Sequence, residues 1–513
     1  MKRLIILILM FFVQVQSKAQ DWEWVIEGEG IENLQTAADE EGNLFASGNF
    51  KGSCKLGEVT IASPEKSACF VLRYDEDGNI LWWKTIGSTD TLVMVELKAK
   101  AGVAYIGGNF TGTLKSSLGD ETSVGGWDIF LASFDMERDL KMVKRDGGTK
   151  KEVFKTMDIK NSEIVITGSF SKGGSINNQM FFSEAEEDNI FYAKYDTYGV
   201  SLWAKEIFLK DSPSLINPIG SKPDLIKINN QDDIYLIARI NGETNFSNNL
   251  LAYESGQYML KFSKEGYFLN HKNISSSRKF ISDFKIDSIN NFYFYRSFCG
   301  NHSPCTDRIE SYDSLLNYRW GFSLNNLHPI KMELINYGFA TLSTFLNYPK
   351  TGLSVELTDS TGTKIFKLKS SEIESWESIG YSICYDNNKN LYITGVSSSL
   401  ISFGNNLEVN RDNLKINFLI KINTIEKFTK VHSENKNFHS SLNLHPNPTS
   451  SHFTLSFEAE KADVTITDFS GRIMLQRQVK SKENISTSGF SKGIYFVQVM
   501  LGEDVVRRKL VIN

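Results

Sequence analysis

The sequence predicts an all-β protein: a series of repeated four-stranded units followed by a small antiparallel β-sandwich. Three observations carry this expectation. Aromatic residues make up 12% of the chain and lie among frequent Gly, Asn and Ser, a mix that suits short strands joined by tight turns. A strand-like segment ending in Gly recurs, with Gly48, Gly108 and Gly168 sixty residues apart. Residues 442–513 alternate apolar and polar positions behind a Pro-Asn-Pro sequence.

The chain opens "MKRLIILILMFFVQVQSKAQ". Lys2 and Arg3 precede the apolar run Leu4 to Val13, which is shorter than the roughly twenty residues a membrane-spanning helix needs. Ser17 and Ala19 are the small residues of a cleavage site before Gln20, so residues 1–19 are expected to be a secretory signal peptide. No Cys adjoins that site and no other apolar run is long enough to span a bilayer, so neither a lipid anchor nor a transmembrane segment is expected in the mature chain. Removing Lys2, Arg3 and Lys18 takes the formal charge from −5 to −8. A mildly acidic surface argues against nucleic acid as a partner.

The repeat follows. "EEGNLFASGNFKG" from Glu40, "KAGVAYIGGNFTG" from Lys100 and "KNSEIVITGSFSKG" from Lys160 each run a β-rich stretch into Gly, a small or polar residue, and Phe. Their continuations match too: "SACFVLRYDEDGNILWWKTIG" from Ser67, "WDIFLASFDMERDLKMVKRDGG" from Trp127 and "DNIFYAKYDTYGVSLWAKEI" from Asp188. Weaker copies start near Asp232, Asn290, Tyr337 and Asn387, which makes seven units. Each offers about four strands, the first unmarked by any motif, and such a unit buries both faces only when stacked around an axis. The expectation is a seven-bladed β-propeller, with six or eight blades left open because units four to six are degenerate. "DWEWVIEG", Asp21 to Gly28, resembles the last strand of a unit, "LWWKTIG", yet precedes the first one. It is expected to complete the last blade and join the two chain ends; the alternative is that "EKFTKVH", Glu426 to His432, fills that place.

These units resemble a β-propeller repeat of bacterial surface and exported proteins, in which "GNxYxTGxFxG" is followed by "DxFxxKYDxxGxxxWxK". The resemblance covers residues 20–430, is strongest in units one to three, and implies a propeller fold but no single activity.

Five cysteines is an odd count for an exported chain. Cys299 and Cys305 bracket "CGNHSPC" and can close a small disulfide loop; two free thiols, or a metal loop around His302, are the alternatives. Cys54 and Cys69 lie on neighbouring predicted strands and can bridge them, which leaves Cys384 as a buried thiol. "DEDGN", Asp75 to Asn79, has the start of a calcium loop, but its twelfth position is Ile86 and its flanks are strand-like, so a hairpin turn is expected. "GFSKG", Gly489 to Gly493, fits a nucleophile pattern that requires a following helix, whereas the β-run "IYFVQVM" follows. Glu186 and Glu187 read as a solvated loop. The recurring Trp22 or Trp24, Trp82 and Trp203 read as packing between blades, and Trp127 and Trp376 as loop aromatics able to meet a ligand. No catalytic residue, metal site or cofactor is predicted, and the ligand-binding residues are not identifiable from the sequence.

Residues 431–441 are expected to be a polar linker and 442–513 a separate block. The block contains Pro446, Asn447 and Pro448, then "VTITDFSGRI" with Asp468 and Gly471, then "GIYFVQV" with Gly493 and Tyr495, and Lys509 near the end. It resembles the C-terminal sorting domain of the type IX secretion system of Bacteroidota, with His445 in place of the usual aromatic. The resemblance implies a second export signal, read by the type IX secretion machinery at the outer membrane and commonly cleaved afterwards. Physically, each Pro fixes φ near −65° and holds the preceding residue extended, so Pro-Asn-Pro is expected to act as a hinge.

The expected protein is secreted or held on the outer cell surface. It binds an unknown protein or glycan ligand across the propeller loops without catalysis. A carbohydrate-active enzyme with residues scattered over blade loops, and a surface scaffold, are the alternatives.

Overall fold

The computed structural model describes residues 22–184, 186, 188–209, 221–240, 244–246, 249–251, 256–275, 279–298, 306–324, 327–335, 338–347, 350–359, 362–372, 379–404, 407–409, 415–423, 443–457, 460–468, 473–501 and 504–513. These residues are all-β. The chain divides into two compact units, Met1–Thr424 and Ile425–Asn513.

In the first unit, the described residues form seven antiparallel sheets that each contain a run of four strands, some extended by two short strands at the outer edge. Sheet one runs Glu32–Ala38, Leu44–Phe50, Ser67–Tyr74 and Ile80–Ser88. The first strands of sheets two to seven are Leu92–Lys100, Glu152–Lys160, Lys222–Ile228, Lys279–Ile286, Leu327–Ile335 and Ile379–Tyr385. Each first strand packs against the first strand of the next sheet, and that of sheet seven packs against that of sheet one, so the contacts close a cycle. Sheet seven takes its fourth strand from the other end of the chain: Trp22–Glu29 pairs antiparallel with Ile416–Asn423, Val25 opposite Ile420. The alternative segment 426–432 lies outside the described residues.

The central strands are buried on both faces, which is why they lack strict alternation. Every residue of Leu44–Phe50 and of Asp128–Phe134 is buried. The apolar clusters lie between neighbouring sheets. One joins Phe45, Val71 and Trp82 of sheet one to Leu97, Ile106 and Phe130 of sheet two. Another joins Cys384, Tyr392 and Leu419 of sheet seven to Leu44, Ala46 and Leu72 of sheet one. The repeated Trp positions serve the same packing. Trp24, Trp203 and Trp320 lie over Gly78, Gly266 and Gly362 in a hairpin turn of the following sheet. Trp82 Nε1 donates to the Met136 carbonyl at 2.8 Å.

The motif glycines answer a close approach. A Cβ on Gly108 would stand 2.2 Å from the Val93 carbonyl oxygen and 2.8 Å from the Phe130 ring; one on Gly168 would stand 2.1 Å from the Val153 oxygen. The next residue acts as a latch. Asn49 accepts from Met94 N–H at 2.7 Å and donates to its carbonyl at 2.9 Å. Asn109 does the same to Phe154, at 2.6 and 3.3 Å; in sheet four, Gln257 on the third strand makes the equivalent pair of bonds to Ile281, at 2.7 and 3.2 Å.

The Cys54–Cys69 bridge is not formed. Cys54, Cys69 and Cys384 are buried free thiols. Cys54 belongs to the cluster between sheets seven and one and Cys69 to the cluster between sheets one and two, so they serve different cores. Burial pushes both thiols up to about 12. Cys299 and Cys305 lie outside the described residues.

The second unit holds two antiparallel sheets. One is Asn443–His445, His452–Ser456 and Glu483–Ser486; the other runs in the order Ile473–Lys480, Lys461–Asp468, Gly493–Leu501, Asp504–Ile512. Residues of both sheets share one buried cluster, including Phe453, Leu455, Ile485, Val464, Val497 and Leu510.

Candidate ligand-binding site

The first strands carry the site. Each is irregular at a corresponding place: its register shifts between Met94 and Glu96, Phe154 and Thr156, Pro223 and Leu225, Ile281 and Asp283, Pro329 and Lys331, and Gly380 and Ser382, with a longer shift between Glu32 and Gln35. A bulge of this kind re-aims the side chains that follow it. Residues one and three places past the shift then share a face of the strand. They include Glu96 and Lys98, Asp283 and Lys285, and Lys331 and Glu333, together with Asp158 and Lys227. All of these except Asp158 line a cavity of about 450 Å³, to which the first strands of all seven sheets contribute.

The charges are interlocked. Lys98 pairs with Glu96 at 2.8 Å, Lys227 with Asp158 at 3.1 Å, and Lys285 with Glu333 at 2.7 Å. Several carboxylates also accept a backbone N–H from the next sheet: Glu96 from Met157 at 2.6 Å, Asp158 from Ile228 at 2.9 Å and Asp283 from Met332 at 2.9 Å. Gln35 completes the pattern by accepting from Leu97 N–H at 3.1 Å. Burial pushes the Glu96 carboxyl up, but the Lys98 and Lys227 ammonium groups outweigh it and hold Glu96 at about 2. Asp283 is likewise held low, burial being overcome by Lys285 and Lys331. Lys227 is pushed down by burial and by its neighbours Lys98 and Lys285, with Asp158 opposing. Lys285 is raised, because Glu333 and Asp283 outweigh its burial. The result is a cavity walled by paired charged side chains on bulged strands, of a size that suits a small polar ligand or the end of a larger one.

Sequence reasoning passed over these residues. They sit on the strand of each unit that carries no motif. The available signal was charge at alternate positions inside otherwise apolar runs, as in "LVMVELKAK" and "FISDFKID".

The residues singled out from sequence fall elsewhere. Asp75 caps a hairpin: its Oδ1 accepts from Asp77 and Asn79 N–H at 3.0 and 2.8 Å, and its Oδ2 from Asn79 Nδ2 at 2.9 Å. Ser491 precedes the strand Gly493–Leu501, and its carbonyl accepts from the Tyr495 hydroxyl at 2.8 Å. Glu186 pairs with Lys172 at 2.9 Å on the surface. Trp127 is half-buried, while Glu187 and Trp376 lie outside the described residues.

In the second unit, Pro446, Asn447 and Pro448 are docked and do not act as a hinge. The Asn447 side chain donates to the Lys509 carbonyl at 2.6 Å and accepts from Val511 N–H at 2.9 Å, strapping the segment to the last strand. Asp468 stands opposite Tyr495 in the sheet. Tyr495 is buried against Phe490. Gly493 opens its strand, Lys509 is exposed, and Gly471 lies outside the described residues.

Comparison with known proteins bears on this second unit. Residues 443–513 match the family described as the secretion system C-terminal sorting domain. That match supports type IX secretion and a secreted or cell-surface location. No helix among the described residues is long and apolar enough to cross a membrane. No curated protein matches the chain. Among solved structures, cobalt-substituted Synechocystis apocarotenoid oxygenase is 11% identical with a TM-score of 0.33, over 58% of this chain and 62% of that one. This chain thus spans about three fifths of that enzyme's length. A Lactobacillus plantarum protein is 10% identical with a TM-score of 0.35, over 74% of this chain and 97% of that one. PorZ of Porphyromonas gingivalis, a surface component of the type IX secretion system, is 9% identical with a TM-score of 0.18, over 96% and 100%. Likenesses this distant carry no argument about activity.

Proposed function

We propose that this protein is an exported, non-catalytic binding module: a seven-bladed β-propeller over residues 20–430, a linker over 431–441, and a β-sandwich sorting domain over 442–513. The signal peptide of residues 1–19 takes it across the inner membrane. The C-terminal domain hands it to the type IX machinery of a Bacteroidota cell, and it works outside the cell or on its surface. Its ligand is a protein or a glycan, engaged where the first strands of all seven sheets converge.

The observation that carries this reading is the cavity itself, held open by bulged strands whose charged side chains are fixed by the neighbouring sheet. Preorganised polar groups favour binding, because their ordering cost is met during folding. Two carboxylates facing the cavity, Glu96 and Asp283, suit proton transfer poorly. A general acid needs a pKa near the working pH, whereas Glu96 is held at about 2 and Asp283 also below the usual range. This favours binding over the carbohydrate-active enzyme.

Two measurements test the proposal. Fractionation of the native organism with intact-mass analysis is expected to find a species outside the outer membrane that starts at Gln20 and lacks the C-terminal domain. A periplasmic species with residues 442–513 attached would defeat the export reading. A glycan and protein array probed with that mature species is expected to give saturable binding with no turnover of the bound ligand; turnover would establish the enzyme instead.

A further inference from the structure

We infer that the cavity takes an oxyanion: the ligand presents a carboxylate or phosphate group to the lysines of the first strands. This rests on the binding reading above and names the chemistry of that site. The argument is a count of donors and acceptors. An ammonium group has three N–H donors and no acceptor. Lys98, Lys227 and Lys285 each make one ion pair, with side chains 27%, 15% and 16% exposed. Lys331 also lines the cavity, and among the described residues it has no carboxylate within 4.0 Å.

The acceptors are already committed. Glu96, Asp158 and Glu333 are each paired with a lysine. Asp224 is paired with Arg239 at 2.8 Å, and Asp283 accepts from Phe284 N–H at 2.9 Å through one oxygen and from Met332 N–H at 2.9 Å through the other. With three lysine–carboxylate pairs and the Arg239–Asp224 pair cancelling, Lys331 offsets Asp283, and Lys155, which also lines the cavity, adds one positive charge. A chain with formal charge −5 has therefore placed an excess of cationic donors in its central cavity. Partly buried donors without acceptors favour a ligand rich in acceptor oxygens, and charge-assisted bonds from ammonium to carboxylate or phosphate are the strong kind.

Calorimetric titration of the mature protein at low ionic strength tests this, using glucuronate, inorganic phosphate and glucose. The expected result is saturable binding of glucuronate or phosphate and none of glucose at the same concentration. Glucuronate alone marks a carboxylate ligand, phosphate alone a phosphorylated one. Lys331→Met is expected to weaken that binding about tenfold or more. Lys155→Met, at an exposed position, is expected to weaken it without disturbing the fold, and covers the case in which Lys331→Met fails to fold. Equal affinity in wild type and Lys155→Met, or glucose binding as tightly as glucuronate, would overturn the inference. A hit on the array with neither anion bound overturns this inference and leaves the binding reading standing. No hit on the array and no anion bound overturns both.

Discussion

At the scale of single residues, the repeat motif is explained by what it touches in its own sheet and in the next. Gly108 is small because the Val93 carbonyl approaches it, and Asn109 is polar because its amide holds the backbone of Phe154. Asn109→Ala removes the acceptor of a buried N–H and the donor to a buried carbonyl, and is expected to destabilise the protein by about 3 kcal/mol. Urea denaturation would check it, and an unchanged midpoint would show the latch to be dispensable. Glu96 ties acid stability to the cavity. Its folded-state pKa lies below its unfolded value, so its stabilisation is present above about pH 4.5 and is lost as pH falls toward 2. Glu96→Gln is expected to flatten that part of the acid-unfolding profile, followed by Trp fluorescence. A profile that keeps its full slope would remove Glu96 as its source.

At the scale of elements, two segments take their role from a partner strand. The bulge in each first strand turns an ordinary edge into a cavity wall, by offsetting the side chains that follow it. The Pro-Asn-Pro segment stiffens the chain locally as each proline requires, yet Asn447 fastens it to Asp504–Ile512 across more than sixty residues. Two hydrogen bonds at a solvent-exposed site contribute modestly. Asn447→Ala is therefore expected to cost the second unit about 1 kcal/mol. Thermal unfolding of the full chain should show its C-terminal transition shifted down while that of the first unit stays in place. A shift in the first unit alone would contradict this assignment.

At the scale of the whole molecule, closure is the dominant feature. The N-terminal strand Trp22–Glu29 completes a sheet begun more than 350 residues later. That pairing covers what would otherwise be the open edge of Ile416–Asn423 and seats Trp24 against Tyr74 and Tyr392. Unpaired edges invite association with other chains. A mature chain lacking residues 22–29 is expected to melt at lower temperature and to form dimers or larger species by size-exclusion chromatography. A monomer with the full-length melting temperature would show that closure is not what stabilises the first unit.

Much of this protein is determined by its sequence alone, because strands, hairpins and repeats are written in neighbouring residues. The Asp-x-x-Gly turns, the Gly-Asn-Phe motif, the recurring Trp and the sorting motif are all short-range patterns, and a strand segment displaced to the N-terminus was recognisable by its likeness to later copies. The tertiary structure alone decided the rest. Lys98, Lys227, Lys285 and Lys331 come from four different sheets, and each is an ordinary strand lysine until bulges turn all four toward one cavity. Asn447 reads as part of a hinge until Lys509 and Val511 are brought beside it. Cys54 and Cys69 look like neighbours along the chain, yet the sheet between them sends them to separate cores. Local pattern specifies which residues form a strand. Which residues meet across the molecule depends on how strands distant in sequence are packed, and the candidate site consists of such meetings.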